Sequence, residues 1–343
     1  MRRKRQFRPR AVFARARFES LSLSLSAEIA VVGAGPAGAT LARLLALRGK
    51  RVAVLDPGNK ITDRLELLAP SARSVLQALA IVELVESSVI GVPCAGIRRR
   101  WGTHEIEYDD FLRQPHGLGT VVDRAKLDMR LRELAIEAGA FFVEARASAV
   151  QRSKQGFEIV ASQKLNTLTI VAPIVVDASG RPSVLARRLD ARRTCSERLL
   201  AERVLVNECE GPRQGPVWLD VEGSAGSWDY TMSGPNGRRE KWTVYRNNGR
   251  FQDRTRHQVN ASSSCLSPAA GEGWIAIGDA ATAFDPITSQ GLINALSSAL
   301  VAAGAIMFPG GLSMEAAAIY SEAVAATFAN TESGRSAVYQ ALT

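Results

Sequence analysis

The stretch AVVGAGPAGATLA, from Ala30 to Ala42, decides how this 343-residue chain folds. The apolar run from Ile29 to Val32 predicts a buried parallel strand. Gly33, Gly35 and Gly38 follow it in G-x-G-x-x-G order, and an apolar pattern at helical spacing continues through Leu47. Gly33 permits the tight turn, Gly35 leaves the backbone room to approach a pyrophosphate, and Gly38 lets helix and strand pack closely. Pro36 and Ala37 open the helix, whose free N–H groups and dipole favour an anion. A second strand, Arg51 to Leu55, ends at Asp56, about 20 positions beyond the glycines, where an acidic residue holds a ribose hydroxyl. The unit reads as a βαβ grip on the adenosine half of a dinucleotide.

Composition limits what the rest of the chain does. A hydrophobic content of 46% supports a large α/β domain with a smaller partner. No stretch reaches the length of about 18 uninterrupted apolar residues needed to span a bilayer, although Leu292 to Phe308 comes near. The net charge of +9 suggests a nucleic-acid partner until its location is read: residues 1–17 carry eight Arg and Lys residues and no acid. Removing those eight leaves 35 basic residues against 34 acidic ones, so the charge belongs to an arm and not to a binding face. The arm reads as a solvated tail, or as an extension from a misassigned start. The LSLSLS segment, Leu21 to Ser26, is too short and polar for an export signal, which favours the cytoplasm. Cys94, Cys195, Cys209 and Cys265 stand far apart, with no histidine at ligand spacing, so neither a metal site nor a disulfide framework is expected. With three histidines and no G-x-S-x-G elbow, the chemistry falls to a cofactor.

Three further stretches bear on that cofactor. The segment from Val121 to Ala135 has apolar residues at helical spacing and ends near Gly139, a C-cap residue. Arg124 stands at its start, where a cation opposes the helix dipole and needs another partner, such as a cofactor phosphate or ring edge. VVDASGRPS runs from Val175 to Ser183, and GDAATAFDPITSQG from Gly278 to Gly291.

Taken in order, these motifs resemble the glutathione-reductase-type flavoproteins of the p-hydroxybenzoate hydroxylase, geranylgeranyl reductase and tryptophan halogenase superfamily. The resemblance rests on the glycine run, on V-x-R-x-x-[LF]-D at Val122 to Asp128, on Asp177 to Ser183, and on Gly278-Asp279 with D-P-x-x-x-Q-G at Asp285 to Gly291. It covers about residues 27–305 and implies FAD as the cofactor. Asp279, after the apolar WIAIG, then accepts hydrogen bonds from ribityl hydroxyls, while Gly278, Ala280 and Ala281 admit the pyrophosphate. Pro286 precedes a helix beginning near Gln290; its N–H groups, at Gly291 and Leu292, face the flavin C2 oxygen and stabilise negative charge on the reduced ring.

Within the superfamily, Arg64 to Leu79 and Gly91 to Phe111 resemble a halogenase-like subgroup, some of whose members oxygenate tryptophan side chains in maturing quinone cofactors. Glu66 and Arg73 match its G-E-S-L-P-P-x-x-R element, with Leu65 in place of the glycine. The halogenase lysine is replaced by Cys94, and the W-x-W-x-I-P signature is missing, so the chain is not expected to be a halogenase. Cys94, Ile97 and Trp101 are candidates for lining a substrate pocket. The resemblance implies a monooxygenase that is reduced by transient NADH or NADPH, traps O₂ at the flavin C4a carbon, and oxygenates an aromatic small molecule or a tryptophan in a partner protein. Prenyl-type alkene reduction is the alternative, and a shortened, non-catalytic flavin-binding protein a third reading.

The expected architecture is α/β: a glutathione-reductase-type FAD-binding Rossmann fold from residues 27–75, 120–192 and 262–330, with an inserted smaller mixed β-sheet substrate domain from 76–119 and 193–261. The stretch between Tyr245 and Cys265 is polar and aperiodic, so that domain reads as shortened. Residues 1–26 form the arm, and residues 331–343 a C-terminal tail.

Overall fold

The glycine stretch folds as a strand, a turn and a helix in the computed structural model, which describes residues 23–58, 62–102, 104–163, 166–206, 215–224, 226–247 and 258–340. Strand β2 (Ile29–Val32) runs into α1 (Pro36–Ala46), and β3 (Val52–Asp56) returns parallel to β2. Every residue of β2 is buried, as an apolar run without alternation requires of a strand covered on both faces. Further along, β12 (Ile174–Asp177) and β21 (Trp274–Ala276) join in parallel, β8 (Phe141–Glu144) closes one edge, and the short β20 (Ala270–Gly271) pairs antiparallel at the other. The order is β20-β21-β12-β2-β3-β8. Helix α1 packs against α4 (Arg124–Glu137) and α5 (Gly291–Met307). Leu41, Leu45, Leu55, Ile275 and Leu296 are wholly out of solvent in this core, each worth about 1.5–3 kcal/mol of burial.

Register places the cofactor motifs together. Val32 pairs with Asp177, and Asp177 with Ala276, so β2, β12 and β21 end side by side. The loops that begin at Gly33, Ala178 and Ile277 therefore open at one edge, outside the carboxyl ends of parallel strands, where open α/β sheets bind ligands.

Three other sheets complete the described residues. A four-stranded one joins β1 (Leu23–Ser26), β11 (Asn166–Ala172), β10 (Gly156–Gln163) and β9 (Arg146–Ser153). A three-stranded one joins β13 (Arg192–Cys195), β19 (Ser264–Ser267) and β22 (Thr282–Ala283). The largest runs β18 (Gln258–Asn260), β14 (Leu199–Val206), β17 (Arg239–Arg246), β16 (Ser227–Ser233), β15 (Val217–Ser224), β5 (Gly91–Trp101), β7 (Gly119–Asp123) and β4 (Leu65–Leu68), with β6 (Glu107–Asp110) paired to β5. It has its own core, in which Leu65, Val121, Trp228, Trp242 and Val244 meet. Two short helices, α2 (Arg73–Ala78) and α3 (Val82–Glu86), link β4 to β5.

The sequence-based boundaries need three corrections. Residues 23–26 are not part of an arm: β1 pairs in parallel with β11, from Leu23 against Leu168 to Ser26 against Val171. The alternation of leucine and serine is the period-two pattern of an edge strand, which its polarity disguised. Residues 1–22, with all the arm's charge, lie outside the described residues, as does Cys209. The helix expected from Val121 starts at Arg124, because Val121 and Val122 belong to β7 and Asp123 caps α4 by accepting from the N–H groups of Ala125 and Lys126. Residues 331–340 are not a separate tail either. They continue α6 (Met314–Gln340), held by Arg335 and Tyr339, whose partners lie far away in sequence. Part of the aperiodic segment, residues 248–257, lies outside the described residues.

Candidate active site

The glycine loop builds one end of the site. Gly33 has φ +106°, and a Cβ there would collide with the Ala178 carbonyl oxygen; one at Gly38 would collide with the carbonyl oxygen of Gly33. Both glycines let three backbone segments meet. Gly35 differs: a Cβ there meets nothing within 4 Å, because the residue faces a cavity that Pro36 and Ala37 also line. Gly35 is the N-cap of α1 and Pro36 its first residue, so the free N–H groups of that helix open toward this space. Asp56 lies behind the loop. Its Oδ2 accepts from the Ala34 N–H at 2.9 Å and its Oδ1 from Gly58 N–H at 3.0 Å, and it does not line the cavity. Arg132 of α4, not anticipated from sequence, donates to the Ala34 carbonyl at 2.7 Å and stands 3.7 Å from Asp56. Aspartate and arginine together brace the loop.

The middle motif is a built turn. Asp177, 1% exposed, accepts from Ser179 N–H and hydroxyl and from the N–H groups of Leu185 and Ala186. This holds Ala178, Gly180 and Arg181 against the cavity. Arg181 donates to the carbonyls of Ser262 and Phe284, and its Nε stands 3.7 Å from Asp279. Burial pulls its pKa down, although Asp279 opposes that effect.

Asp279 itself points into the cavity, with Arg181 as the nearest charge to its carboxylate. Gly278, at φ +56°, lies against Ala37, where a Cβ would come within 2.9 Å of that side chain. Arg193, also missed from sequence, donates to the carbonyls of Asp279 and Ala280 at 2.8 and 2.6 Å and to Ser183 and Ser264 hydroxyls, fixing the turn from behind. Beyond it, Pro286–Thr288 form a single turn, Ser289 is left-handed at φ +49°, and Gln290 is the N-cap of the 17-residue α5. No side chain caps α5, so the N–H groups of its first turn, at Gly291 and Leu292, are free to face the cavity they line. Pro286 and Gln290 line it too, but the Gln290 side chain turns away and accepts from the Thr331 hydroxyl at 3.2 Å.

Arg124 is buried and its partners are protein carboxylates. Its Nε and Nη2 donate to Asp128 at 2.9 and 3.1 Å, and Nη1 to Glu66. Burial alone would lower its pKa; the two carboxylates raise it and keep it charged. Burial likewise opposes ionisation of Glu66, yet Arg124 and Arg64 hold its carboxyl below the usual range. The partner that the start of α4 required is thus an ion-pair cluster that also lines the cavity.

The large sheet forms the opposite wall. The cavity, of about 420 Å³, takes in Ile97 and Arg99 of β5, Leu219 and Val221 of β15, Trp228, Tyr230 and Met232 of β16, and Trp242 of β17. Tyr230 stacks on Trp242 at 6.3 Å and lies 5.3 Å from Trp228, making an aromatic floor. Of the three expected pocket residues, Ile97 lines it and two do not. Cys94 is wholly buried in β5, where its thiol donates to the Gly96 carbonyl and burial pushes its pKa up to about 11. Trp101 lies past the cavity, under Tyr339 and Trp228.

These features fit FAD. Open space at Gly35 and the start of α1 suits a pyrophosphate, the Asp279 carboxylate suits hydroxyls, and the uncapped first turn of α5 suits a partly negative ring edge. Comparison with known proteins agrees. Residues 26–269 match the FAD binding domain family, and the chain belongs to it. Among curated relatives, the 1H-pyrrole-2-carbonyl-[peptidyl-carrier protein] chlorinase of Pseudomonas fluorescens is 25% identical over 82% of this chain and 75% of its own length. The digeranylgeranylglycerophospholipid reductase of Methanocella arvoryzae is 26% identical over 81% and 77%. In fold, the chain is similar to p-nitrophenol 4-monooxygenase PnpA from Pseudomonas putida (TM-score 0.77, 16% identity, 92% and 89% covered), to the flavin-dependent brominase Bmp2 (0.71, 16%, 87% and 83%) and to the peptidyl tryptophan dihydroxylase QhpG (0.70, 21%, 93% and 76%).

The motif-based resemblance therefore holds, and the chain is of the FAD-dependent oxidoreductase type. One expectation is overturned. The exclusion of halogenation fails, because a chlorinase stands among the curated relatives and halogenases among the folds. Cys94, at the position matched to the halogenase lysine, is sealed inside β5 and does not line the cavity. Among the described residues no group of His, Cys, Asp and Glu is placed to hold a metal, and no helix is long and apolar enough to cross a membrane.

Proposed function

We propose that the protein is an FAD-dependent monooxygenase acting on an aromatic substrate, either a small molecule or a side chain of a partner protein, with NADH or NADPH as a transient electron donor. One observation carries the reading: the aromatic floor of Trp228, Tyr230 and Trp242 lines the same cavity as Asp279 and the first turn of α5. In this reading the parallel sheet and its helices form the cofactor domain, and the large sheet forms the substrate domain. The likeness to QhpG in fold supports a partner-protein substrate as one form of it.

Bound FAD supplies the redox chemistry. The chain's own residues do the rest. Gly35 and the start of α1 hold the phosphates, with Asp56 and Arg132 stiffening the loop; Asp279 orients the hydroxylated chain; the α5 N–H groups favour negative charge on the ring. Tyr230 and Trp242 orient an aromatic ring by stacking, and Leu219, Val221 and Met232 keep water from it.

The test is a product analysis. FAD-loaded protein is given NADH or NADPH, isotopically labelled dioxygen, a halide salt and a panel of aromatic compounds and tryptophan peptides, and in a parallel anaerobic arm a prenyl alkene, and the products are weighed by mass spectrometry. A product carrying one labelled oxygen atom supports the proposal. Halogen in its place assigns a halogenase, and uptake of hydrogen by an alkene without dioxygen assigns a reductase; either overturns it.

A further inference from the structure

Strand β5 carries three consecutive arginines, and its neighbour β15 answers two of them. Arg98 pairs with Asp220 in register and makes two hydrogen bonds to it, at 2.6 and 3.0 Å. Arg100 pairs with Glu222 and bonds it at 3.3 Å. Side chains alternate across a strand, so Arg99 faces the other way, into the cavity. The residue paired with it is Val221, so no acid on β15 answers this charge. Among the described residues Arg99 has no carboxylate or carbonyl partner. The other cavity arginines are all engaged: Arg64 and Arg124 by Glu66, and Arg181 by two carbonyls and Asp279.

Arg99 also sits on the sheet wall and not on the loops that carry Gly35 and Asp279. Along the register, Arg99 is opposite Val221, Val221 opposite Tyr230, and Tyr230 opposite Trp242. With strands about 4.8 Å apart, Arg99 and Tyr230 stand about 10 Å from each other at the backbone. Both side chains rise from the same face of the sheet into one cavity, so a ring lying on the aromatic floor can present an anionic group to the guanidinium. A half-buried guanidinium among the apolar side chains of this wall is costly without a counter-charge, and a planar carboxylate matches its donor fork.

We infer that Arg99 is the anion-binding, specificity-determining residue of the substrate cavity, and that the substrate is an aromatic compound carrying a carboxylate or a similar anion. The inference rests on the aromatic reading above, and its test separates the two.

Three probes are titrated against the full-length, FAD-loaded protein: phenylacetate, its neutral isostere phenylacetamide, and octanoate. Binding is read by quenching of the fluorescence of Trp228 and Trp242 and by perturbation of the flavin band. Wild-type protein should bind phenylacetate at least about tenfold more tightly than phenylacetamide, as a hydrogen-bonded charge pair predicts. Arg99→Gln should erase that preference, Arg99→Lys should keep part of it, and Arg98→Gln, on the outer face, should leave it intact. Equal binding of the two aromatic probes to wild-type protein, or a preference that survives Arg99→Gln, overturns the inference; the wild-type comparison does so even if a variant fails to fold. If octanoate alone binds, and does so through Arg99, the anion site stands and the aromatic reading falls. If both aromatic probes bind alike, the aromatic reading stands and the anion site falls.

Discussion

The hydroxyl of Tyr339, near the end of α6, donates to Asp285 Oδ2 at 2.9 Å and accepts from the indole N–H of Trp228 at 2.7 Å. One side chain thus ties the aromatic floor of the cavity to the loop that leads into α5. Arg335, one turn earlier, reaches Asp285 and Glu197, and the Trp101 indole donates to the Val338 carbonyl. Asp285 is 1% exposed, and burial raises its pKa despite these donors, so it depends on them to stay charged.

Replacing Tyr339 by Phe removes a donor and an acceptor at once and leaves the Trp228 N–H and Asp285 short of partners. The variant should lose about 1–3 kcal/mol of stability, a melting point lower by a few degrees. FAD should also dissociate faster, because Asp285 caps the turn at Ile287 that precedes α5. A thermal melt and a flavin-release assay check both; an unchanged melting point removes Tyr339 from this role.

Gly35 and Gly33 predict opposite outcomes from similar changes. Gly35→Leu projects into open cavity and should abolish FAD binding while the melting curve of the protein without flavin stays within about 0.5 kcal/mol of wild type, as for a surface site. Gly33→Ala forces a Cβ into the Ala178 carbonyl at φ +106°, so the fold itself should fail or lose several degrees. Retained flavin in Gly35→Leu would refute the pyrophosphate assignment.

The residues that sequence revealed and those it hid differ in the reach of their interactions. Gly33, Asp177 and Gly278 were legible because each follows a short apolar strand within its own motif, and parallel pairing then brings those strand ends together. Arg132, Arg193 and Tyr339 were not, since each acts on a backbone or carboxylate far away in the chain: 98 residues for Arg132 to Ala34, 86 for Arg193 to Asp279, 54 for Tyr339 to Asp285. The same holds for the sheet wall of the cavity, where β5 and β15 pair across 122 residues. Cys94 falls outside the cavity because the register shifts between Val217 and Trp218, and alternation across such a shift cannot be counted from sequence.

Cysteine labelling tests that last point. Cys195 is exposed, whereas Cys94 and Cys265 are buried and burial raises the pKa of both thiols. An alkylating reagent at mildly alkaline pH should modify Cys195 quickly in the native protein, and Cys94 and Cys265 only after denaturant is added. Peptide mapping reads the order, and native labelling of Cys94 would mean that β5 is more open than its packing.

The Glu66–Arg124–Asp128 cluster should leave a signature in the dependence of stability on pH. The folded protein holds Glu66 below its ordinary value of 4.5, so ionised Glu66 favours the folded state. A group with a lowered folded pKa contributes fully above its unfolded value and loses that contribution as pH falls through the folded one. Wild-type stability should therefore decline on acidification below pH 4.5, and Glu66→Gln should be less stable at pH 7 but show a shallower decline. Arg124→Met should be worse than either, by about 3–5 kcal/mol at pH 7, since it leaves the buried Asp128 without its cation and Glu66 with Arg64 alone. That loss should shrink as Glu66 protonates. Denaturant titrations at pH 7 and below 4.5 measure all three curves, and an Arg124→Met deficit independent of pH would mean that Arg124 acts by packing and not by charge.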